Sequence, residues 1–238
     1  MIYITGDTHR SFSRLYTLYG TSNDMLIVLG DAGINYFLDE SDIELKDYLN
    51  SFNIKLFCIR GNHEERPENI STYKEVEMFG GKVYIEEEFP NLIFAKDGEI
   101  YNIDGNRVLV IGGAYSVDKG YRIRNKIPWF SDEQLMDDEM LAILDKVEGQ
   151  HFDIVLTHTC PQKYEPTEVF LPGLDQSTVD KSMERYLDTV EESITYDKWY
   201  CGHYHTEKQI DKMEFMYRDI KVFSKELDKI KGLKKDIK

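Results

Sequence analysis

Residues 1–9 read Met1-Ile2-Tyr3-Ile4-Thr5-Gly6-Asp7-Thr8-His9, and residues 25–31 read Met25-Leu26-Ile27-Val28-Leu29-Gly30-Asp31. Each is a short apolar run, cut by a glycine and followed at once by an acid. Runs of this length that are apolar on both faces predict strands buried in a parallel sheet. The pattern recurs along the chain. Ile54–Ile59 precedes Gly61-Asn62-His63-Glu64, Asp153–Thr157 precedes His158, and Lys198–Cys201 precedes Gly202-His203-Tyr204-His205. Asn91–Ala95 and Arg107–Ile111 read as further strands.

Amphipathic stretches lie between these runs. Helices are predicted over Asp42–Leu49, over Ser131–Val147 with Ser131 and Gln134 as a capping box, and over Ser177–Ile194. The first third therefore reads β-α-β-α-β, with right-handed parallel crossovers. Short alternating segments after Gly202 read as hairpin strands. The prediction is one α/β domain over residues 1–220, with two sheets packed face to face and helices outside. Residues 221–238 form a Lys-rich tail with seven lysines and three acids.

Composition narrows the function. The 238 residues carry 44 acids against 29 Lys and Arg, a formal charge of −15. Proteins that coat nucleic acid or anionic membranes need a basic face, so double-stranded DNA and membranes are disfavoured partners. A small phosphorylated substrate remains compatible, because bound metal ions reverse a local field. Cys58, Cys160 and Cys201 are odd in number and form no C-x-x-C pair, which points to a reducing compartment. No apolar run approaches the length of a membrane span, and Met1–Asp7 has no basic n-region or long apolar core. The expected location is the cytoplasm.

The polar clusters carry the chemistry. Asp7-Thr8-His9, Gly30-Asp31, Gly61-Asn62-His63-Glu64, Thr157-His158 and Gly202-His203-Tyr204-His205 each follow a predicted strand. In α/β sheets the crevice beyond the carboxyl ends of strands is where ligands bind. These five loops hold five of the chain's six histidines, His151 being the other. Carboxylate, amide oxygen and imidazole without thiolate suit Mn, Fe, Co, Ni or Zn, and are too rich in nitrogen for a Ca or Mg cage. There are too many donors for one tetrahedral ion. One carboxylate can bridge two ions about 3.5–4 Å apart, so that seven ligands fill two shells. Gly6, Gly30, Gly61 and Gly202 each precede a candidate ligand, where a missing Cβ lets backbones crowd together.

In their order, D-x-H, GD, GNH[DE], a lone His and G-H-x-H, these blocks resemble the calcineurin-like metallophosphoesterase superfamily. They span residues 7–205, most of the chain. The resemblance implies a four-layer α/β/β/α sandwich with two divalent transition-metal ions, Mn foremost, at the strand ends. It implies that Asp7, His9 and His205 hold one ion, that Asn62, His158 and His203 hold the other, and that Asp31 bridges them. His63 would then stand beside the bound phosphate and protonate the leaving oxygen. The expected reaction is hydrolysis of a phosphate ester by a metal-bridging hydroxide. An imidazole suits the acid role because its pKa lies near neutrality.

Departures from relatives shape the substrate expectation. Serine/threonine phosphatases of the superfamily carry Asp-Arg-Gly in the second block, where this chain has Gly30-Asp31-Ala32-Gly33. The expectation therefore leans to phosphodiesters or nucleotides, RNA ends included, over phosphomonoesters and phosphoproteins. A loop from Gly112 to Arg122 is expected to supply cations, with Arg122 and Arg124 as phosphate contacts. Tyr164, with Tyr36, Phe37, Tyr115 and Tyr121, is a candidate for stacking on a base. Two other readings compete. One is a scaffold that binds metal without catalysis. The other is a nuclease for single-stranded ends that uses the Lys-rich tail.

Overall fold

The structure, a computed structural model, describes residues 1–18 and 24–226. Its elements run β1 (Ile2–Thr5), β2 (Met25–Val28), α1 (Glu40–Asn50), β3 (Lys55–Cys58), β4 (Tyr73–Met78), β5 (Gly81–Glu86) and β6 (Leu92–Ala95). There follow β7 (Ile100–Ile103), β8 (Asn106–Ile111), α2 (Lys119–Asn125), α3 (Asp137–Val147), β9 (His151–Thr157), α4 (Ser182–Ser193), β10 (Thr195–Cys201), β11 (Lys208–Ile210), β12 (Met213–Phe215) and β13 (Lys221–Val222). One sheet has the order β13-β1-β2-β3-β6-β5-β4, the other β11-β12-β10-β9-β8-β7. The central strands β1, β2, β3 and β6 are parallel, as are β8, β9, β10 and β12. Antiparallel strands flank both sets, so both sheets are mixed.

The apolar runs are buried on both faces because each sheet is covered twice. Ile4, Ile27, Phe57 and Ile93 stand in register across β1, β2, β3 and β6. They join Val108, Val110, Ile154 and Leu156 of the second sheet in one interior cluster. Leu26, Leu56 and Leu92 point the other way, into a cluster with Leu49 of α1. Leu109 and Val155 of the second sheet pack outward against Ile143 of α3 and Leu187 of α4. Three apolar seams separate four layers, which gives the α/β/β/α sandwich. Lys198, Glu214 and Lys221 form ion pairs that tie β10 and β12 to β13 on the other sheet.

Several elements differ from the sequence reading. Between β1 and β2 the described residues contain a 3-10 turn at Ser13–Thr17 and no α-helix. The chain there is occupied with the strand ends, since His9 N–H donates to Asp31 O (2.8 Å) and Arg10 N–H to Ala32 O (3.1 Å). The helix expected from Ser131 starts at Asp137. Arg66 captures the carbonyls of Asp132 (2.9 Å) and Gln134 (2.8 Å), and Glu139 accepts from the Met136 N–H (2.7 Å), so the capping box forms later in the chain. The helix expected from Ser177 starts at Ser182, where the Asp180 carboxylate accepts the Ser182 N–H (2.9 Å). The loop read from Gly112 to Arg122 ends in α2. Strands β4, β5 and β7 had no counterpart in the reading.

Within the Lys-rich segment, Lys221 and Val222 pair with β1 and Phe223 is buried. Residues 227–238, the greater part of that segment, lie outside the described residues. No helix among the described residues is long and apolar enough to cross a membrane. Cys58, Cys160 and Cys201 are all buried and unpaired.

Candidate active site

Parallel strands of both sheets deliver their polar loops to one place. β1 leads to Asp7 and His9, β2 to Asp31, and β3 to Asn62 and His63. From the other sheet, β9 leads to His158 and β10 to His203 and His205. The turns are sharp. His9, Asp31, His203 and His205 have φ of 43°, 48°, 66° and 50°, the left-handed region that side chains with a Cβ seldom occupy. Such strain gathers where function over-determines the backbone. Two glycines show why no larger residue fits. A Cβ on Gly61 would stand 2.0 Å from Asp31 Oδ1, and one on Gly30 would stand 2.0 Å from His158 Nδ1.

The donors converge in two overlapping groups, Asp7 with His9 and His205, and Asp7 with Asp31 and His158, each with ligand atoms within 4.8 Å of one another. His9 Nε2 and His205 Nε2 face each other at 2.8 Å. Asp31 Oδ2 is 3.8 Å from His9 Nδ1 and 4.0 Å from His63 Nε2, while Oδ1 is 3.6 Å from His158 Nε2. The His203 ring packs edge-on against His158, with centroids 5.0 Å apart, and the His203 backbone N–H donates to both oxygens of Asp7 (3.1 and 3.0 Å).

The chemistry of this donor set fits a cation. His158 Nδ1 lies 2.7 Å from Leu29 O, which assigns its proton to Nδ1 and leaves a lone pair on Nε2. That lone pair faces Asn62 Oδ1 at 2.9 Å, and Asn62 Nδ2 is turned away to Ser116 Oγ at 2.8 Å. Lone pair thus meets lone pair, an arrangement that a positive ion stabilises. The titration properties agree. Burial lowers the pKa of His158, of His203 well below its usual value, and of His205 to about 4, so all three favour the neutral, ligating form. Burial and then Asp31 push the Asp7 carboxyl well up. Burial also works to raise Asp31, but His158, His63 and His9 outweigh it and hold that carboxylate below the usual range.

A second ring of residues holds the ligands, and sequence reasoning missed most of it. Ser116 Oγ donates to Glu133 Oε2 (2.5 Å), which also accepts from Trp129 Nε1 (2.9 Å), so a buried relay fixes the Asn62 amide. Glu64 accepts the N–H groups of Gly61 (3.0 Å) and Gly33 (3.2 Å), clamping the loops after β3 and β2. Burial and then Asp31 raise its pKa to about 8. Glu64 alone carried a sequence signal, its place in the third block.

Arg122 stands in the site, with Nη2 3.2 Å from His63 Nε2, Nη1 bonded to Tyr36 OH (2.9 Å), and Nε on the Asp118 carboxylate (2.8 Å). Burial lowers the His63 pKa against the pull of Asp31. Arg124 is exposed, two residues further along α2 and off that face. Tyr164 bonds Glu191 on α4 (3.2 Å) and packs on the outer core of the second sheet. The aromatic residues proposed for stacking do not form one surface. Tyr115 lines the site cavity, Tyr121 is exposed, and Phe37 lies under Arg10.

No curated protein sequence matches the chain. The sequence model of calcineurin-like phosphoesterases matches residues 1–207, which takes in every loop of the site. The family is one of metal-dependent phosphoester hydrolases, and the Asp/His groups described above are able to bind metal. Strand order, the convergence of the five loops and this match together place the chain in the calcineurin-like phosphoesterase family.

Proposed function

We propose that this protein is a cytoplasmic phosphoesterase with a two-ion metal centre, and that it acts on phosphodiesters or nucleotides. The observation that carries the reading is the position of Asp31, whose two oxygens reach toward His9 on one side and His158 on the other. In this reading Asp7, His9 and His205 hold one ion, Asn62, His158 and His203 hold the second, and Asp31 is shared. The mixed oxygen and nitrogen donors favour Mn, with Fe, Zn, Co and Ni as competitors. Bound ions of this kind supply a lowered pKa for water and neutralise charge on a phosphoryl group.

The chain's own residues do the rest. Arg122 Nη2 donates toward His63 Nε2 at rest, so that nitrogen carries a lone pair. A phosphate oxygen that takes over this guanidinium donor frees His63 Nε2 to hold a proton, and the nearby negative charge raises its affinity for one. His63 then gives that proton to the departing alkoxide oxygen. The relay from Trp129 and Glu133 through Ser116 holds the Asn62 amide in one orientation. The three buried, unpaired cysteines support the cytoplasmic assignment.

The test compares turnover of a chromogenic phosphomonoester and of bis(p-nitrophenyl) phosphate by metal-stripped protein, with and without added Mn. Mn-dependent cleavage with the diester ahead is expected. Faster monoester cleavage would overturn the substrate class, and absence of both metal binding and turnover would leave the scaffold reading in its place.

A further inference from the structure

A cavity of about 380 Å³ is lined by Asn62, His63 and His203 of the metal cluster and also by the segment between β9 and α4. That size suits a small-molecule site, which spans about 300–1,000 Å³. Val169, Phe170, Leu171, Leu174 and Val179 of this segment give it an apolar wall, beside the polar Glu165, Gln176 and Lys181. Leu171 is 61% exposed and Val169 39%, so part of this apolar wall is open to solvent. The polar groups of the wall largely satisfy one another. Lys181 pairs with Glu165 and lies 4.7 Å over the Phe170 ring, and Tyr204 OH reaches Glu165 Oε1 (3.3 Å) and Thr159 Oγ1 (3.1 Å).

Glu184 is the exception. Its side chain lines the cavity, the residue is 3% exposed, and its Oε1 accepts from Thr159 Oγ1 (2.7 Å). Its Oε2 is buried and has no partner. A buried acceptor left unsatisfied costs free energy that a ligand donor would recover. We propose that this cavity receives the base of a nucleotide substrate, and that Glu184 Oε2 accepts a hydrogen bond from an exocyclic amine on that base.

Three observations favour an amine-bearing base over other occupants. The apolar wall, with Phe170 and Tyr204 stacked on each other in the lining, suits a flat ring. With Lys181 engaged by Glu165, the Glu184 Oε2 is a buried acceptor in this wall with no partner, and it selects a donor. Burial raises the Glu184 carboxyl to about 7, and an N–H donor stabilises its ionised form. Cytosine and uracil have nearly the same shape and differ at this group, so a site built around the hydrogen bond separates them.

The inference rests on the phosphoesterase reading for the word substrate, and its test is independent of turnover. The full-length, metal-loaded protein is titrated calorimetrically with cytidine and with uridine, which carry no phosphate. Cytidine is expected to bind about tenfold more tightly, the value of one hydrogen bond to a charged group. Glu184→Gln should abolish or reverse that preference. Equal affinities, no binding of either nucleoside up to its solubility, or a preference that survives in Glu184→Gln would each overturn the proposal. If that variant does not fold, Leu171→Asp on the exposed wall must weaken cytidine binding, and unchanged affinity overturns the proposal. Cytidine preference without turnover of bis(p-nitrophenyl) phosphate would fault the phosphoesterase reading alone. Turnover without the preference would fault the base site alone.

Discussion

His63 differs from the histidines around it. It lies next to Asn62 in sequence, yet its Nε2 faces donors, Arg122 Nη2 (3.2 Å) and Asn62 Nδ2 (3.3 Å), and stands 4.0 Å from Asp31 Oδ2. Replacing it should therefore spare metal binding and remove the proton donor. His63→Ala is expected to keep the metal content of the wild type and to lose turnover by about 10²–10⁴-fold on a substrate with a poor leaving group. Elemental analysis beside kinetics checks both halves, and full activity would exclude the acid role. Glu184 offers a prediction about stability. Burial raises its folded-state pKa from 4.5 to about 7, with Glu165 adding to the rise and Thr159 and Lys181 opposing it. Between these values the folded protein holds a proton that the unfolded chain releases, so folding loses stability as pH rises through this window. The gap in urea stability between wild type and Glu184→Gln should shift by about 1–3 kcal/mol against the wild type from pH 4.5 to pH 7. A gap independent of pH would contradict the assignment.

At the scale of elements, the glycines separate into those that shape a turn and those that make room for a ligand. Gly80 closes the β4–β5 hairpin at φ +80°, and nothing lies within 4 Å of where its Cβ would be. Gly80→Ala should cost about 1 kcal/mol of stability from backbone strain alone and leave metal content intact. Gly61→Ala should act in the opposite sense, displacing Asp31 and lowering metal content, because its Cβ would collide with a carboxylate oxygen. Denaturant unfolding and metal analysis on both variants distinguish the two kinds of glycine. The element boundaries show what local sequence does not contain. Residues 131–136 have the composition of a helix start, yet Arg66 holds their carbonyls and Glu133 is drawn to Ser116. The β4–β5 hairpin was hidden because its exposed face alternates Lys and Glu, which pair across strands as Glu75 does with Lys82 and Lys96. The β7–β8 hairpin did carry a signal, the Asp104-Gly105 turn, with φ of 54° and 77°.

At the scale of the molecule, the site straddles the two sheets. Its candidate ligands follow β1, β2 and β3 on one side and β9 and β10 on the other. Metal bound there would hold the two sheets together, in addition to the interior apolar seam. Removing metal with a chelator should lower the unfolding temperature, and added Mn should restore it. At free metal about 100-fold above Kd the stabilisation is about 2.7 kcal/mol. Equal melting with and without metal would argue that the ligands do not bridge the sheets through an ion.

The parallel strands and the five polar loops with their Asp, Asn and His side chains were legible in the sequence. Each is a local property: a run buried on both faces must be apolar, and a metal needs oxygen and nitrogen at the strand ends. Arg122 was legible as a cation near the site, while its bond to His63 was not. The Asn62–Ser116–Glu133 relay, the exposure of Arg124, the bond of Tyr164 to Glu191 and the unpartnered Glu184 oxygen were decided by tertiary structure alone. The physical reason is sequence distance. Ser116 and Glu133 lie on segments far from Asn62 in the chain, so only the folded packing sets which polar group meets which, and which is left without a partner.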